Sequence, residues 1–216
     1  AVRPLKCCVT PPLQLIHLNQ TELTMPRPAH PLLAITLGDP SGIGPEVVAR
    51  ALAERATYEM ARPVVIGALG PMQRGIKDTG VGLVARAASS IEGAGEDPGV
   101  VDVLNVDGFE DADFPLGELS AVSGKAAHAW IERAVRLCQN GGADAMVTAP
   151  VNKEALNMAG STDMGHQEVF KRMSGSDYVA TMLVSGVLRC MHLSTHRSLI
   201  RAAEYATREN ILMATK

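Results

Sequence analysis

The chain has 216 residues, enough for one large domain or two lobes; 46% are hydrophobic but only 3% aromatic, so its core has to be built from Val, Leu, Ile, Ala and Met. A net charge of -3 argues against a nucleic-acid binder, which presents a basic stripe. No apolar run reaches the ~18 residues of a membrane-spanning helix. These features predict a soluble, cytoplasmic globular protein. The cysteines, Cys7, Cys8, Cys138 and Cys190, form no CxxC pair and read as free thiols in a reducing compartment.

Residues 1–30 carry Pro4, Pro11, Pro12, Pro26 and Pro28 and no sustained periodicity. The apolar patch LQLIHL is too short and too interrupted for a signal peptide. The expectation is a disordered tail or translated leader over residues 1–24, with a natural start at Met25. LLAIT (32–36) then reads as a buried strand, and a helical pattern runs from Pro45 to about Ala56. Pro suits the first helical position, and Glu46 in that first turn complements the helix dipole. PVVIG (63–67) predicts a second strand, followed by a helix near 71–79, with further strands at GLVAR (82–86) and VVDVLNV (100–106).

The strongest helical pattern is SGKAAHAWIERAVRLCQNGG (123–142). Ser123 reads as its N-cap; Ala127, Trp130, Ile131, Ala134, Val135 and Cys138 form its apolar stripe; Gly141 or Gly142 ends it. ADAMVTAPVNK supplies a strand with a loop after Thr148, and EVFKRM a helix. YVATMLVS (178–185) and VLRCMHL (187–193) read as adjacent strands around Gly186. SLIRAAEYATRENILMATK reads as one amphipathic helix with Leu199, Ile200, Ala203, Ala206 and Ile211 on one side, cut inside the element. Strands alternating with helices predict an α/β fold with a mixed, mostly parallel sheet flanked by helices.

Ligands gather beyond the carboxyl ends of strands in such sheets. Polar clusters stand at three such ends: GDPSGIGPE after the first strand, TAPVNK after Val147, and STHRS after the last strand. The first is not a Walker A loop, since no Gly-Lys-Ser/Thr follows, nor a GxGxxG fingerprint, since Gly38, Gly42 and Gly44 are wrongly spaced. Its glycines serve a structural turn and an anion cradle equally well. Lys153 can meet a phosphate or carboxylate as a point charge, or simply face solvent. Asp163 and Glu168 read as surface charges.

GDPSGIGPE, TAPVNKEAL, AG followed by GHQEVF, and MLVSGVLRCMHLSTH occur in the order and spacing of the 4-hydroxythreonine-4-phosphate dehydrogenase family, which the chain resembles from about Leu32 to His196. The resemblance implies an isocitrate/isopropylmalate dehydrogenase-like two-lobe fold, with a first lobe over 25–158 and the beginning of a second over 159–216. It also implies NAD- or NADP-dependent oxidation of the secondary alcohol of a phosphorylated four-carbon hydroxy acid, 4-hydroxythreonine 4-phosphate or threonate/erythronate 4-phosphate. Decarboxylation of the keto product would follow. A divalent metal (Zn, Mg or Co) and a homodimer with the active site at its interface are further implications.

By the same resemblance, His196 matches a metal ligand and His166 a substrate contact. Gln167 stands where the family usually has Thr, and with Lys153 completes the expected substrate-binding set. No residue is assigned to the cofactor or to catalysis. His192 makes an H-x3-H pair with His196, but that spacing shares a face only on a helix, which leaves His192 outside the expected site. Family members continue well past residue 216 with further metal and substrate residues, so the chain alone is expected to lack turnover. Gln167 also admits a relative acting on a non-phosphorylated aromatic cis-dihydrodiol. A catalytically incomplete binding or assembly lobe is the non-enzymatic reading.

Overall fold

The structure, a computed structural model, describes residues 30–110, 112–163, 165–195 and 197–215. The expected leader, the start at Met25, and Cys7 and Cys8 lie outside the described residues. In chain order the elements are β1 (Leu32–Thr36), α1 (Gly44–Ala53), α2 (Arg55–Met60), β2 (Arg62–Gly67), α3 (Leu69–Thr79), β3 (Val84–Ala88) and β4 (Val100–Asn105). They continue with α4 (Ala121–Gln139), β5 (Ala145–Thr148), α5 (Lys153–Met158), α6 (His166–Ser174), β6 (Met182–Ser185), β7 (Leu188–Met191), α7 (Leu199–Tyr205) and α8 (Arg208–Thr215).

β1 to β5 form one wholly parallel sheet in the order β3-β4-β2-β1-β5. After Arg62 the central strand β2 is apolar, and Val64, Val65 and Ile66 are fully buried. That pattern belongs to a strand covered on both faces. α1, α3 and α4 supply the covers, placing Val48, Leu52, Met72, Ile76 and Trp130 in the same core as the strands. Phe109 and Phe114 meet Trp130 edge-on, with ring centroids 6.3 and 6.2 Å away. The antiparallel part of the expected mixed sheet is a separate hairpin of β6 and β7.

Three expected boundaries are corrected. Ser123 does not cap α4, which begins two residues earlier behind Ser120. Its buried hydroxyl instead shares a 2.6 Å hydrogen bond with Ser41, a partner 82 positions away that local sequence cannot reveal. The third strand starts at Val84 rather than Gly82, because Leu83 N–H closes a tight turn onto the Val81 carbonyl at 2.9 Å. The single C-terminal helix divides into α7 and α8. Ala206 leaves helical geometry (ψ 59°), and the Thr207 hydroxyl accepts from Asn210 N–H at 3.2 Å to start a new helix. Its supposed inner stripe is exposed at Leu199, Ile200 and Ile211.

Candidate functional site

β1 leads to β2 on one side and is paired with β5 on the other, so the loops after β1 and β5 open side by side at the carboxyl end of the sheet. They touch there: Asp39 N–H donates to the Pro150 carbonyl at 2.9 Å. Gly38 has φ +73°, and a Cβ on it would lie 2.4 Å from the same carbonyl oxygen, so only glycine fits. The rest of the first loop turns inward. The Asp39 carboxylate accepts from Ser41 N–H at 2.9 Å, Ser41 binds Ser123, and the Arg74 guanidinium donates to the Pro40 carbonyl. These bonds make GDPSGIGPE a tightly held structural turn, with Asp39, Ser41 and Gly42 lining a separate small pocket beside Asn152 and Glu154.

A cleft of about 860 Å³ opens beyond β5, and no residue of the first loop lines it. Lys153 reaches it from the first position of α5, where the Asn152 side chain accepts from Glu154 N–H at 2.9 Å and fixes the backbone. The Lys153 Cε stands 3.9 Å from where a Cβ on Gly165 would be, bringing the ammonium stem to the start of α6. His166, Gln167 and Glu168 line the cleft from that first turn. Thr181, His192, Ser194 and Thr195 close it from the flanks of the hairpin. The three expected substrate-binding residues, separated in sequence, therefore meet in one cavity.

Burial holds the His166 imidazole below the usual histidine range, against a weaker upward pull from Glu168. The ring is thus neutral near pH 7. Its Nε2 is buried and has no hydrogen-bond partner among the described residues. Gln167 Nε2 donates to the Thr181 hydroxyl, tying α6 to the strand that begins at Met182. His192, which the sequence leaves outside the expected site, also lines the cleft: its backbone N–H binds the Thr181 carbonyl at 2.9 Å, one pair beyond Met182 and Met191 in the hairpin ladder. His196 lies outside the described residues. Among those described, no three His, Cys, Asp or Glu side chains could together hold a metal ion.

Asp163 is no surface charge. Its side chain is 8% exposed, and its carboxylate accepts from Arg172 at 2.7 and 3.0 Å and meets His128 Nε2 at 2.9 Å. The Arg172 bonds hold the Asp163 carboxyl below its usual range, burial opposes them, and His128 adds to the lowering. Glu168, by contrast, is exposed as expected.

The sequence model of the pyridoxal phosphate biosynthetic protein PdxA family matches residues 59–216. A D-threonate 4-phosphate dehydrogenase of Cupriavidus necator is 40% identical over 80% of this chain and 51% of its own length. A crystal structure of a 4-hydroxythreonine-4-phosphate dehydrogenase from Burkholderia phymatum superposes with a TM-score of 0.80 at 36% identity, over 86% of this chain and 56% of the other. A terephthalate 1,2-cis-dihydrodiol dehydrogenase from Burkholderia xenovorans is more distant, with a TM-score of 0.62 at 25% identity over 86% of this chain and 55% of that one. The chain thus spans about half the length of these relatives, all named dehydrogenases. With the family model covering most of its described residues and the same fold in its solved relatives, the chain belongs to the PdxA family.

Proposed function

We propose that the cleft beyond β5 binds a phosphorylated four-carbon hydroxy acid, and that the chain belongs to an NAD(P)-dependent dehydrogenase acting on threonate/erythronate 4-phosphate or 4-hydroxythreonine 4-phosphate. The observation that carries this reading is the convergence of Lys153, His166 and Gln167 on one cavity. The proposal extends to a homodimer that completes the cleft, to a metal held in part by His196, and to a first lobe ending near residue 158. The described residues do not assemble a metal site, so none of the roles below depends on one.

Lys153 neutralises a phosphate or carboxylate oxygen as a point charge. The neutral His166 ring, on the cleft wall, pairs with a substrate hydroxyl as donor or acceptor by tautomer. Gln167, with its amide N–H₂ engaged by Thr181, keeps its carbonyl as an acceptor for a hydroxyl or ammonium. Together these residues orient the substrate and exclude alternative poses. Oxidation moves a hydride from the carbinol carbon and a proton from its oxygen; the resulting β-keto acid then loses CO₂ by breaking the bond between its carboxyl carbon and α-carbon, whose electron pair passes to the keto oxygen as an enolate. When bound, the nicotinamide supplies the hydride acceptor and a divalent ion the charge that favours both steps.

Calorimetric titration of the 216-residue chain with D-threonate 4-phosphate, 4-hydroxythreonine 4-phosphate and an aromatic cis-dihydrodiol tests the reading. Saturable binding of a phosphorylated acid is expected, weakened about tenfold or more in Lys153→Ala and in His166→Ala, as loss of one hydrogen bond to a charged or buried group implies. Binding of the diol alone would favour the second reading, for which the likeness to the dihydrodiol enzyme speaks.

A further inference from the structure

α6 lies along α4 and carries both His166 and Gln167 in its first turn. The contact has two parts. Val169 is fully buried against Ile131 and Val135, which presses the helices together but leaves α6 free to slide or roll, since apolar contact is non-directional. The polar part is directional. Arg172 donates to Asp163 at 2.7 and 3.0 Å and to Glu132 at 2.8 Å. His128 and Glu132 stand four residues apart on α4, so they lie on one stripe of that helix. Asp163 comes from the turn just before α6, where the Ser161 hydroxyl accepts its N–H at 3.1 Å. One guanidinium therefore joins the end of α6, the turn that precedes it and the neighbouring helix. A planar fork bound at several points fixes both position and rotation.

We propose that Arg172 is a positioning residue: by bridging Asp163 and Glu132 it locks the pitch and roll of α6 on α4 and so sets where His166 and Gln167 stand in the cleft. None of the bridging residues lines the cleft, so their action is through the helix. The assignment rests on the reading of His166 and Gln167 as ligand contacts, but its test does not.

The test follows the His166 ring resonance by NMR, recorded where the imidazole is neutral and assigned by comparison with His166→Asn, together with exchange of the Val169 amide, whose N–H bonds the Gly165 carbonyl at 3.4 Å across the turn that carries His166 and Gln167. In Arg172→Ala the resonance shifts toward its free-chain position and exchange of that amide quickens about tenfold, a local-opening effect. Arg172→Lys, which keeps the charge but not the fork, returns part of the shift. Met72→Ala is the control: it opens a core cavity on α3, lowers Tm, and leaves the His166 signal in place. If Arg172→Ala does not fold, Glu132→Gln, which spares the Asp163 bond, gives the same shift at smaller amplitude. The proposal is overturned if the folded variant loses Tm as Met72→Ala does while the His166 ring and the Val169 amide are unmoved. Titration with D-threonate 4-phosphate separates the two readings. A moved His166 with unchanged affinity leaves the clamp standing and removes the ligand role.

Discussion

Gln167 is where the site and its expected pattern part company. Its amide is held by Thr181, so a shorter side chain cannot both reach that hydroxyl and fill the same space. Gln167→Thr is expected to change selectivity between the two phosphorylated acids by about tenfold, the scale of one hydrogen bond, with little change in Tm; competitive titration checks it. Equal affinities for both acids in the variant and the parent chain would remove Gln167 from the selectivity argument. Local motifs are enough to single out Lys153, His166 and Gln167, but not to show that they share one cavity with Thr181 and His192. A threonine ahead of a strand carries no distinguishing pattern, and the position of His192 on that wall depends on the pairing of the hairpin. Asp163 was misread for a related reason: its partners Arg172, Glu132 and His128 come from two helices, and only packing brings them together.

At the scale of elements, the separation of α4 and α5 is set by one missing side chain. A Cβ on Gly124 would lie 1.9 Å from the Ala155 carbonyl oxygen, closer than any side chain tolerates. Gly124→Ala therefore has to push α5 away and is expected to cost about 3 kcal/mol, measured as a lower urea midpoint by circular dichroism. Because α5 begins with Lys153, ligand affinity should fall as well. Gly70, in α3, has nothing within 4 Å of its absent Cβ; Gly70→Ala should be neutral or stabilise by up to about 1 kcal/mol in the same assay. The buried strands β1, β2 and β4 and the helix α4 are readable because apolar runs or a stripe are set off by turn residues. The hairpin was readable as two strands, yet not as a pair separate from the main sheet, since alternation gives no partner. The break between α7 and α8 hung on Thr207 acting as a cap within an otherwise helical pattern.

For the molecule as a whole, the charges that titrate abnormally predict a broad stability plateau with an acid edge in two stages. His166 is held below its usual range, chiefly by burial. Its contribution is complete above the unfolded value of ~6.5 and declines as pH falls through the lower folded one. For Asp102, burial pushes upward, but hydrogen bonds from Arg86 and Gly95 prevail and hold the carboxyl low. Glu132 and Asp163 are also depressed, so a steeper loss begins below about pH 4, as all three are protonated. On the alkaline side, burial raises the Cys138 thiol and the Tyr58 hydroxyl. The stability associated with keeping them neutral fades as pH climbs above ~8.5 and ~10. Urea midpoints across this range should trace that shape, and a midpoint constant from about pH 3 to 6 would contradict it. The fold class was accessible at this scale because strand and helix patterns alternate over most of the chain. The cleft was not, since it is formed by the return of the segment after β7 onto the start of α6.

Trp130 is the chain's only tryptophan and sits fully buried on α4. That helix also carries Ser123 against the first loop and the carboxylate that Arg172 binds. The protein consequently contains its own optical probe. Emission excited at the red edge, where tyrosine is silent, comes from one indole in dry surroundings, and its wavelength reports whether the core around α4, Phe109 and Phe114 is packed. A red shift that precedes the loss of far-ultraviolet ellipticity on denaturation would time the wetting of that helix against the melting of the sheet, with no label attached.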